Sequence, residues 1–145
     1  MSVEAKLDAT VVANRLRPVL LKLNRDLRRE IHSLGVTGGQ VALLVQIGMN
    51  PGIGVRELAA RERMSPAGMS GHVDRLVEAG LVERTPSLVD RRRVGLTLTA
   101  EGQRVRRSVK HRRTAWLAAR LRGLSADELE AIDRAIEPLQ ELIDE

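Results

Sequence analysis

The sequence predicts a mainly α fold with a small β-wing: a winged helix-turn-helix flanked by N- and C-terminal dimerisation helices. Three observations carry that expectation. Residues 54–80 read as helix, tight turn and helix. Two short strands follow, joined by the charged loop Asp90-Arg91-Arg92-Arg93. Long helical patterns then lie on both sides of this unit. Such an order suits a shape that lays its second helix in a DNA major groove.

A length of 145 residues fits one domain with helical extensions. The expected organisation is 1–36 as an N-terminal dimerisation helix, 37–99 as the winged unit and 100–145 as C-terminal dimerisation helices. Hydrophobic residues make up 43%, enough for a core, but Trp116 is the only aromatic ring. Leu, Val, Ile, Ala and Met must therefore fill the interior. Single-strand nucleic-acid modules need aromatic stacking platforms, so that mode is disfavoured.

The net charge of +5 suits a polyanionic partner, and its distribution is more telling. Residues 101–120 hold seven Lys or Arg to one acid; residues 121–145 hold two to eight. Cysteine is absent, which excludes disulfides, thiolate metal sites and thiol redox sensing. The three histidines are far apart in sequence and make no metal-ligand spacing, so neither metal nor cofactor is expected. No apolar run approaches a signal peptide or a membrane span, so the expected compartment is the cytoplasm.

The first helix is expected over about 3–33, striped by Val12, Leu16, Val19, Leu20, Leu23, Leu27 and Ile31. Pro18 lacks the N–H that would reach Asn14 and predicts a kink. A stripe this long favours a partner. Gly35 should end the helix, and Thr37 with Gln40 forms a capping box for the next. That helix, Val41 to Met49, is apolar almost all round and should be the buried hub; Asn50-Pro51-Gly52 stops it.

The helix-turn-helix follows as Val55–Arg63, a turn at Met64 and Ser65, and Pro66–Ala79 with a stop at Gly80. In its second helix Met69, Val73, Leu76 and Val77 share one side. Ala67, Gly68, Gly71, Asp74, Arg75 and Glu78 face away. Ser65 as N-cap and Pro66 at the first position define its start. Free N–H groups there form a phosphate-binding element. Gly68 and Gly71 each weaken the helix by roughly 1 kcal/mol relative to Ala. That cost makes sense where the backbone must approach a ligand.

The strands are expected over Leu81–Thr85 and Val94–Thr99, with Val94, Leu96 and Leu98 on one face. Thr99 can cap a helix from Ala100 to about Leu121, ended by Gly123. Ser125 and Glu128 form a second capping box. Leu129, Ile132, Ile136, Leu139 and Ile143 stripe the last helix, in which Pro138 implies a bend or early stop.

These elements resemble the MarR family of bacterial transcription regulators. The most specific match is Asp90-Arg91-Arg92-Arg93-Val94 leading to Leu98-Thr99-Ala100-Glu101-Gly102. It fits the family's Asp-x-Arg wing tip and Leu-Thr-x-x-Gly strand ending. Leu76-Val77-Glu78-Ala79-Gly80-Leu81-Val82 fits the end of the recognition helix and the entry to the wing. The resemblance spans essentially the whole chain.

It implies a homodimer whose first and last two helices interleave, with each subunit reading half of a pseudo-palindromic double-stranded DNA site. The implied DNA-binding positions are Ser65, Pro66, Ala67, Gly68, Ser70, Gly71, His72 and Arg75, with Arg91, Arg92 and Arg93 on the wing. Family members often carry a longer polar residue where Gly71 stands. That departure shifts base reading to Arg75, Ser70 and His72, and weight to groove shape. The resemblance also implies a ligand-responsive repressor with a phenolic or anionic effector between the dimerisation helices and the DNA-binding lobe. Arg17, His32 and Trp116 are the pocket candidates.

Each site residue has a plainer reading. Arg75 could pair with Asp74 or Glu78, though a surface pair of roughly 0–1 kcal/mol explains little. His72, at the border of the two faces, suits a satisfied half-buried histidine as well as a base contact. Arg91 to Arg93 could be a solvated turn, but three successive cations repel, and the minor groove would relieve that repulsion. Asp90 reads as an orienting partner for Arg92. The basic run Arg104–Arg113 either extends the DNA footprint or faces the acidic 121–145 segment of its own subunit or the partner; near-cancelling charges favour the second. Trp116 suits dimer core or an effector pocket.

An enzyme is not expected, because there is no nucleophile–base spacing, metal set or phosphate loop. A helical protein-interaction module without DNA binding is the alternative. Salt dependence separates it from a DNA binder.

Overall fold

The computed structural model describes residues 7–86, 90 and 92–144. Its elements run α1 (Ala9–Arg29), α2 (Gly38–Met49), α3 (Val55–Arg61), α4 (Pro66–Glu78), β1 (Val82–Pro86), β2 (Val94–Leu98), α5 (Ala100–Leu121) and α6 (Ala126–Glu141). The winged helix-turn-helix order is therefore present, with α1 before it and α5 and α6 after it.

One core holds the central unit together. Leu44 and Ile47 of α2, Leu58 of α3, Met69, Val73 and Leu76 of α4 and Leu96 of β2 are completely inaccessible to solvent. As its apolar sequence suggested, α2 is the hub, and the Thr37–Gln40 capping box starts it. Gln40 N–H donates to Thr37 Oγ1 at 3.1 Å, and Thr37 N–H to Gln40 Oε1 at 3.0 Å.

One expectation about the first helix needs correction. It ends at Arg29, before Ser33, and a 3-10 turn at His32–Leu34 follows. The cause is Ile31. It is fully buried, whereas no residue of α1 is, so the chain must leave the helix to insert it. Gly35 then turns the chain at φ +75°, a left-handed conformation that favours glycine. Residues 3–6 of the expected helix lie outside the described residues. Pro18 lies within α1, which runs on past it. Likewise α6 continues through Pro138 to Glu141, so Pro138 does not stop it.

The strands pair antiparallel, Val82 with Leu98, Arg84 with Leu96 and Pro86 with Val94. Leu96 is buried and Leu98 half-buried, but Val94 near the wing tip is exposed. The outer edge of β2 is covered too. Ile53 bridges Leu96 as a third antiparallel partner, with Leu96 N–H donating to Ile53 O at 2.9 Å. Gly95 therefore packs directly on the Gly52 backbone, where a Cβ would lie 2.6 Å from the Gly52 carbonyl oxygen.

Between the strands and α5 lies a tight junction. Thr99 Oγ1 accepts from Gly102 N–H at 3.0 Å, capping α5, and donates to Gly80 O at 2.6 Å, just past α4. Thr99 N–H bonds Leu81 O at 3.1 Å. Gly102 is buried, and a Cβ there would lie 2.0 Å from the Leu81 carbonyl oxygen. The Thr-x-x-Gly spacing thus has a structural reason: Thr bonds two elements, and Gly lets their backbones touch.

The second capping box forms at Ser125, where Glu128 N–H donates to Ser125 Oγ at 3.2 Å and Ser125 N–H to Glu128 Oε1 at 3.0 Å. Bonds from the Ser125 backbone and then its hydroxyl lower the Glu128 pKa. The box's contribution is therefore full above the ordinary carboxylate range and is lost as pH falls through the depressed value. Beyond their caps, α1 and α6 expose apolar rows: Val12, Val19, Leu20 and Leu23 on α1, and Leu129, Ile132, Ile136 and Leu139 on α6. Among the described residues no helix is long and apolar enough to cross a membrane.

The junction yields a prediction. Gly102→Ala should destabilise the fold by roughly 1–3 kcal/mol, since a backbone carbonyl cannot yield as a side chain can. Thr99→Ala should cost about 1 kcal/mol for the lost cap. Urea unfolding checks both. A Gly102→Ala protein as stable as the wild type would mean that α5 slides freely off Leu81.

Candidate nucleic-acid interface

The second helix of the pair presents a sharply divided surface. Met69, Val73 and Leu76 are buried and Val77 is half-buried, as the stripe predicted. Ser65, Pro66, Ala67, Gly68, Ser70, Gly71, Asp74, Arg75 and Glu78 are all exposed. His72 sits half-buried at the border, without a hydrogen bond to a described residue. Ser65 Oγ accepts from Gly68 N–H at 3.1 Å, leaving other first-turn N–H groups turned outward.

The two glycines of this face have different causes. A Cβ on Gly68 would lie 3.1 Å from Ser65 Oγ, so the cap itself favours the missing side chain. A Cβ on Gly71 would meet nothing within 4 Å. Among the described residues nothing requires glycine at position 71.

Arg75 is not neutralised by its neighbours. Asp74, its candidate partner, instead pairs with Arg84 Nη2 on β1. No described residue makes an ion pair with Arg75 or Glu78. The Asp74–Arg84 pair ties the outer face of α4 to the wing's first strand. Sequence reasoning missed it, because no helical or strand periodicity links positions ten apart across a turn.

At the wing, Asp90 shapes the backbone. Its Oδ1 accepts from Arg92 N–H at 3.0 Å, and its carbonyl oxygen accepts from Arg93 N–H at 3.0 Å. Its Oδ2 lies 3.9 Å from Arg93 Nε. The expected orienting contact to Arg92 is thus to the main chain: Asp90 closes an Asx-type turn rather than holding that guanidinium. Arg92 and Arg93 are exposed. Arg91 lies outside the described residues.

The turn between α3 and α4 holds another feature absent from the sequence reading. Arg63 has φ +54°, a left-handed conformation uncommon outside glycine, and Met64 N–H closes onto Ala59 O at 2.9 Å. That sharp reversal sets the angle at which α4 leaves α3.

The basic run on α5 does not meet the acidic segment of its own chain. Arg104 pairs with Glu101 at 3.0 Å, and Arg112 bonds Ser33 Oγ. Among the described residues no ion pair joins 104–113 to 121–144, and Arg134 of α6 pairs within its own helix with Glu130. Arg106, Arg107, Lys110 and Arg113 instead line a cavity of about 820 Å³ between α2, β2 and α5. Its floor is Val41, Val45, Ile47, Leu98 and Val109.

The three guessed pocket residues lie elsewhere. Arg17 bonds Asn14 on α1 at 3.1 Å, His32 borders a shallow groove at the end of α1, and Trp116 sits under the Arg120 guanidinium at 5.0 Å. Among the described residues no cluster of metal-ligating side chains occurs.

Comparison with known proteins agrees with this geometry. Residues 34–93 match the model of the MarR family. Over that stretch the chain is similar to the family. An HTH-type transcriptional regulator of Mycobacterium leprae is 29% identical over 92% of this chain and 94% of its own length. The HTH-type transcriptional repressor MdtR of Bacillus subtilis is 29% identical over 79% of this chain and 74% of its own. The crystal structure of Rv1404 from Mycobacterium tuberculosis superposes with a TM-score of 0.85 at 25% identity, covering 99% of this chain and all of that one. The relatives' names are those of transcription regulators rather than enzymes.

The glycine contrast gives a second prediction. Gly71→Ala should stabilise the protein by up to about 1 kcal/mol through helix propensity alone. Gly68→Ala should gain little or nothing, because its methyl crowds the Ser65 cap. Thermal denaturation of the two variants decides it; equal gains would remove the distinction.

Proposed function

We propose that this protein is a MarR-family transcription regulator that acts as a homodimer, reads a pseudo-palindromic site in double-stranded DNA, and represses transcription until a small effector is bound. The observation that carries the reading is Arg75. It stands exposed, without an ion-pair partner among the described residues, on the helix face that also carries Ser70 and Gly71. A bidentate arginine–guanine contact gives roughly 1–3 kcal/mol of base discrimination.

Around Arg75, Ser65, Pro66, Ala67, Gly68, Ser70, Gly71 and His72 form the groove-facing surface. The α4 N-terminus supports a phosphate contact. Arg91, Arg92 and Arg93 reach the adjacent minor groove, with Asp90 setting the turn. The exposed apolar rows of α1 and α6 support a second copy as their cover. In that division of labour 1–36 and 100–145 dimerise and 37–99 binds DNA.

The cavity between α2, β2 and α5 is the effector site in this reading. It touches the wing strand on one side and the helix leading to the dimer on the other. A ligand there acts by binding one spacing of the two lobes more tightly than the other.

Selection of bound duplexes from a random pool is the direct test, with an inverted repeat expected. On that repeat, Arg75→Ala should flatten discrimination between sequences more than it lowers non-specific binding. Affinity should fall steeply with salt, as log K against log[salt]. Equal losses on both duplexes would remove base reading by Arg75. No duplex affinity at any salt would return the protein to an interaction-module role. Truncation after Leu121 should give monomers or insoluble protein by light scattering; a soluble DNA-binding dimer would remove α6 from the interface.

A further inference from the structure

The cavity between α2, β2 and α5 has a chemistry of its own. Its volume of about 820 Å³ suits a small organic ligand. None of its lining residues belongs to α1 or α6, so it is separate from the apolar rows on those helices.

Four cations line it and no acid does: Arg106, Arg107, Lys110 and Arg113, all from α5. Arg106, Lys110 and Arg113 recur at helical spacing and share one face. Like charges so placed repel. The nearby Glu101 is already engaged by Arg104.

Arg113 is the least satisfied of the four. Its Nε is buried with no hydrogen-bond acceptor. Burial first, and the positive charge of Arg28 second, lower its pKa. A buried N–H without a partner is costly. An anion facing the half-buried Arg113 guanidinium from the cavity would offset its desolvation and the repulsion from Arg28.

Arg106 is drawn inward as well. Its guanidinium packs on Gly48, together with a methyl of Leu98, where a Cβ would collide with it. Glycine at position 48 is what lets a cation lie against the apolar floor.

That floor is wholly aliphatic. Val41, Val45, Leu98 and Val109 offer branched methyl surfaces, and no aromatic ring lines the cavity. The chain's one ring, Trp116, is covered elsewhere by Arg120. A phenolic ligand would find no ring to stack on and no carboxylate to accept its hydroxyl. A flexible aliphatic body, by contrast, fits the branched walls by simple apolar burial.

Resting on the effector reading above, we propose that the ligand class is a medium-chain aliphatic carboxylate, its head group bound by Arg113 and Lys110 and its ring-free chain laid on Val41, Val45 and Leu98. The charged head selects against alcohols. The aliphatic floor selects against short acids, which bury too little surface, and aromatic acids, which gain no stacking.

Calorimetry on the full-length protein tests this with octanoate, 1-octanol, acetate and salicylate as probes. Octanoate should bind at least roughly tenfold more tightly than each of the other three. Lys110→Gln, a change at an exposed position, should weaken octanoate by about tenfold. Val45→Trp, which fills the floor, should abolish binding with the helical circular dichroism unchanged. Salicylate binding more tightly than octanoate, and lost in Val45→Trp, would overturn the aliphatic assignment while leaving the effector site in place. Binding of no probe, or binding indifferent to both substitutions, would overturn the site and the assignment together.

Discussion

The close approach of Gly102 to the Leu81 carbonyl is the constraint on which the rest of the architecture depends. At this point the end of α4, the base of the wing and the start of α5 are held in one arrangement. Thr99 supplies the bonds: its hydroxyl caps α5 while donating to Gly80 O, and its N–H reaches Leu81 O. Gly102 supplies the space. Without the missing Cβ, α5 could not lie so near the strand, and the Thr99 cap would lose its geometry. The orientation of α4 relative to α5 therefore rests on backbone contacts, which give less readily than side-chain packing.

Other glycines follow the same logic in different places. Gly95 lets β2 lie on the Gly52 backbone, so that Ile53 can complete a third antiparallel contact with Leu96. Gly48 admits the Arg106 guanidinium to the cavity floor. Gly71, on the outer face of α4, has no such internal reason among the described residues. The same residue type thus marks close packing within the protein at three positions and open space at a fourth.

Features governed by local spacing were legible in the sequence. Both capping boxes, the Ser65-Pro66 helix start, the buried stripe of α4 and the span of α5 depend on neighbours within one or two turns. What was hidden depends on residues far apart in the chain. The helix break before Ile31 answers to a core built by later elements. Asp74 pairs across the turn with Arg84, and Ile53 pairs with a strand more than forty positions on. The left-handed Arg63 carries no glycine or asparagine to announce it. Of the candidate site, exposure along α4 could be read from periodicity, whereas the role of Asp90 as a turn-former could not, since a carboxylate may hold a backbone N–H or a guanidinium with equal chemical sense. The charge-balance argument failed within the chain because it counted charges without placing them: the α5 cations turn towards α2, and α6 keeps its own pair.

The cavity and the junction together suggest how binding at one place would reach another. The cavity walls are α2, β2 and α5, and the junction pins the start of α5 to the end of α4 and to Leu81. A ligand that draws Arg113 and Lys110 towards the α2 floor acts on α5 about two to three turns beyond that pin. Because the pinned end cannot slide, displacement of α5 would turn the whole winged unit about the Thr99–Gly102 contact. In the proposed dimer, a small rotation at each junction would change the spacing of the two α4 helices, which in that reading must meet successive turns of one duplex. Loosening the junction should therefore uncouple the ligand from the spacing while leaving the cavity's own affinity intact. Among substitutions at the junction, Thr99→Ala is the one suited to separating the two, since it removes the hydrogen bonds without forcing the backbones apart as Gly102→Ala does.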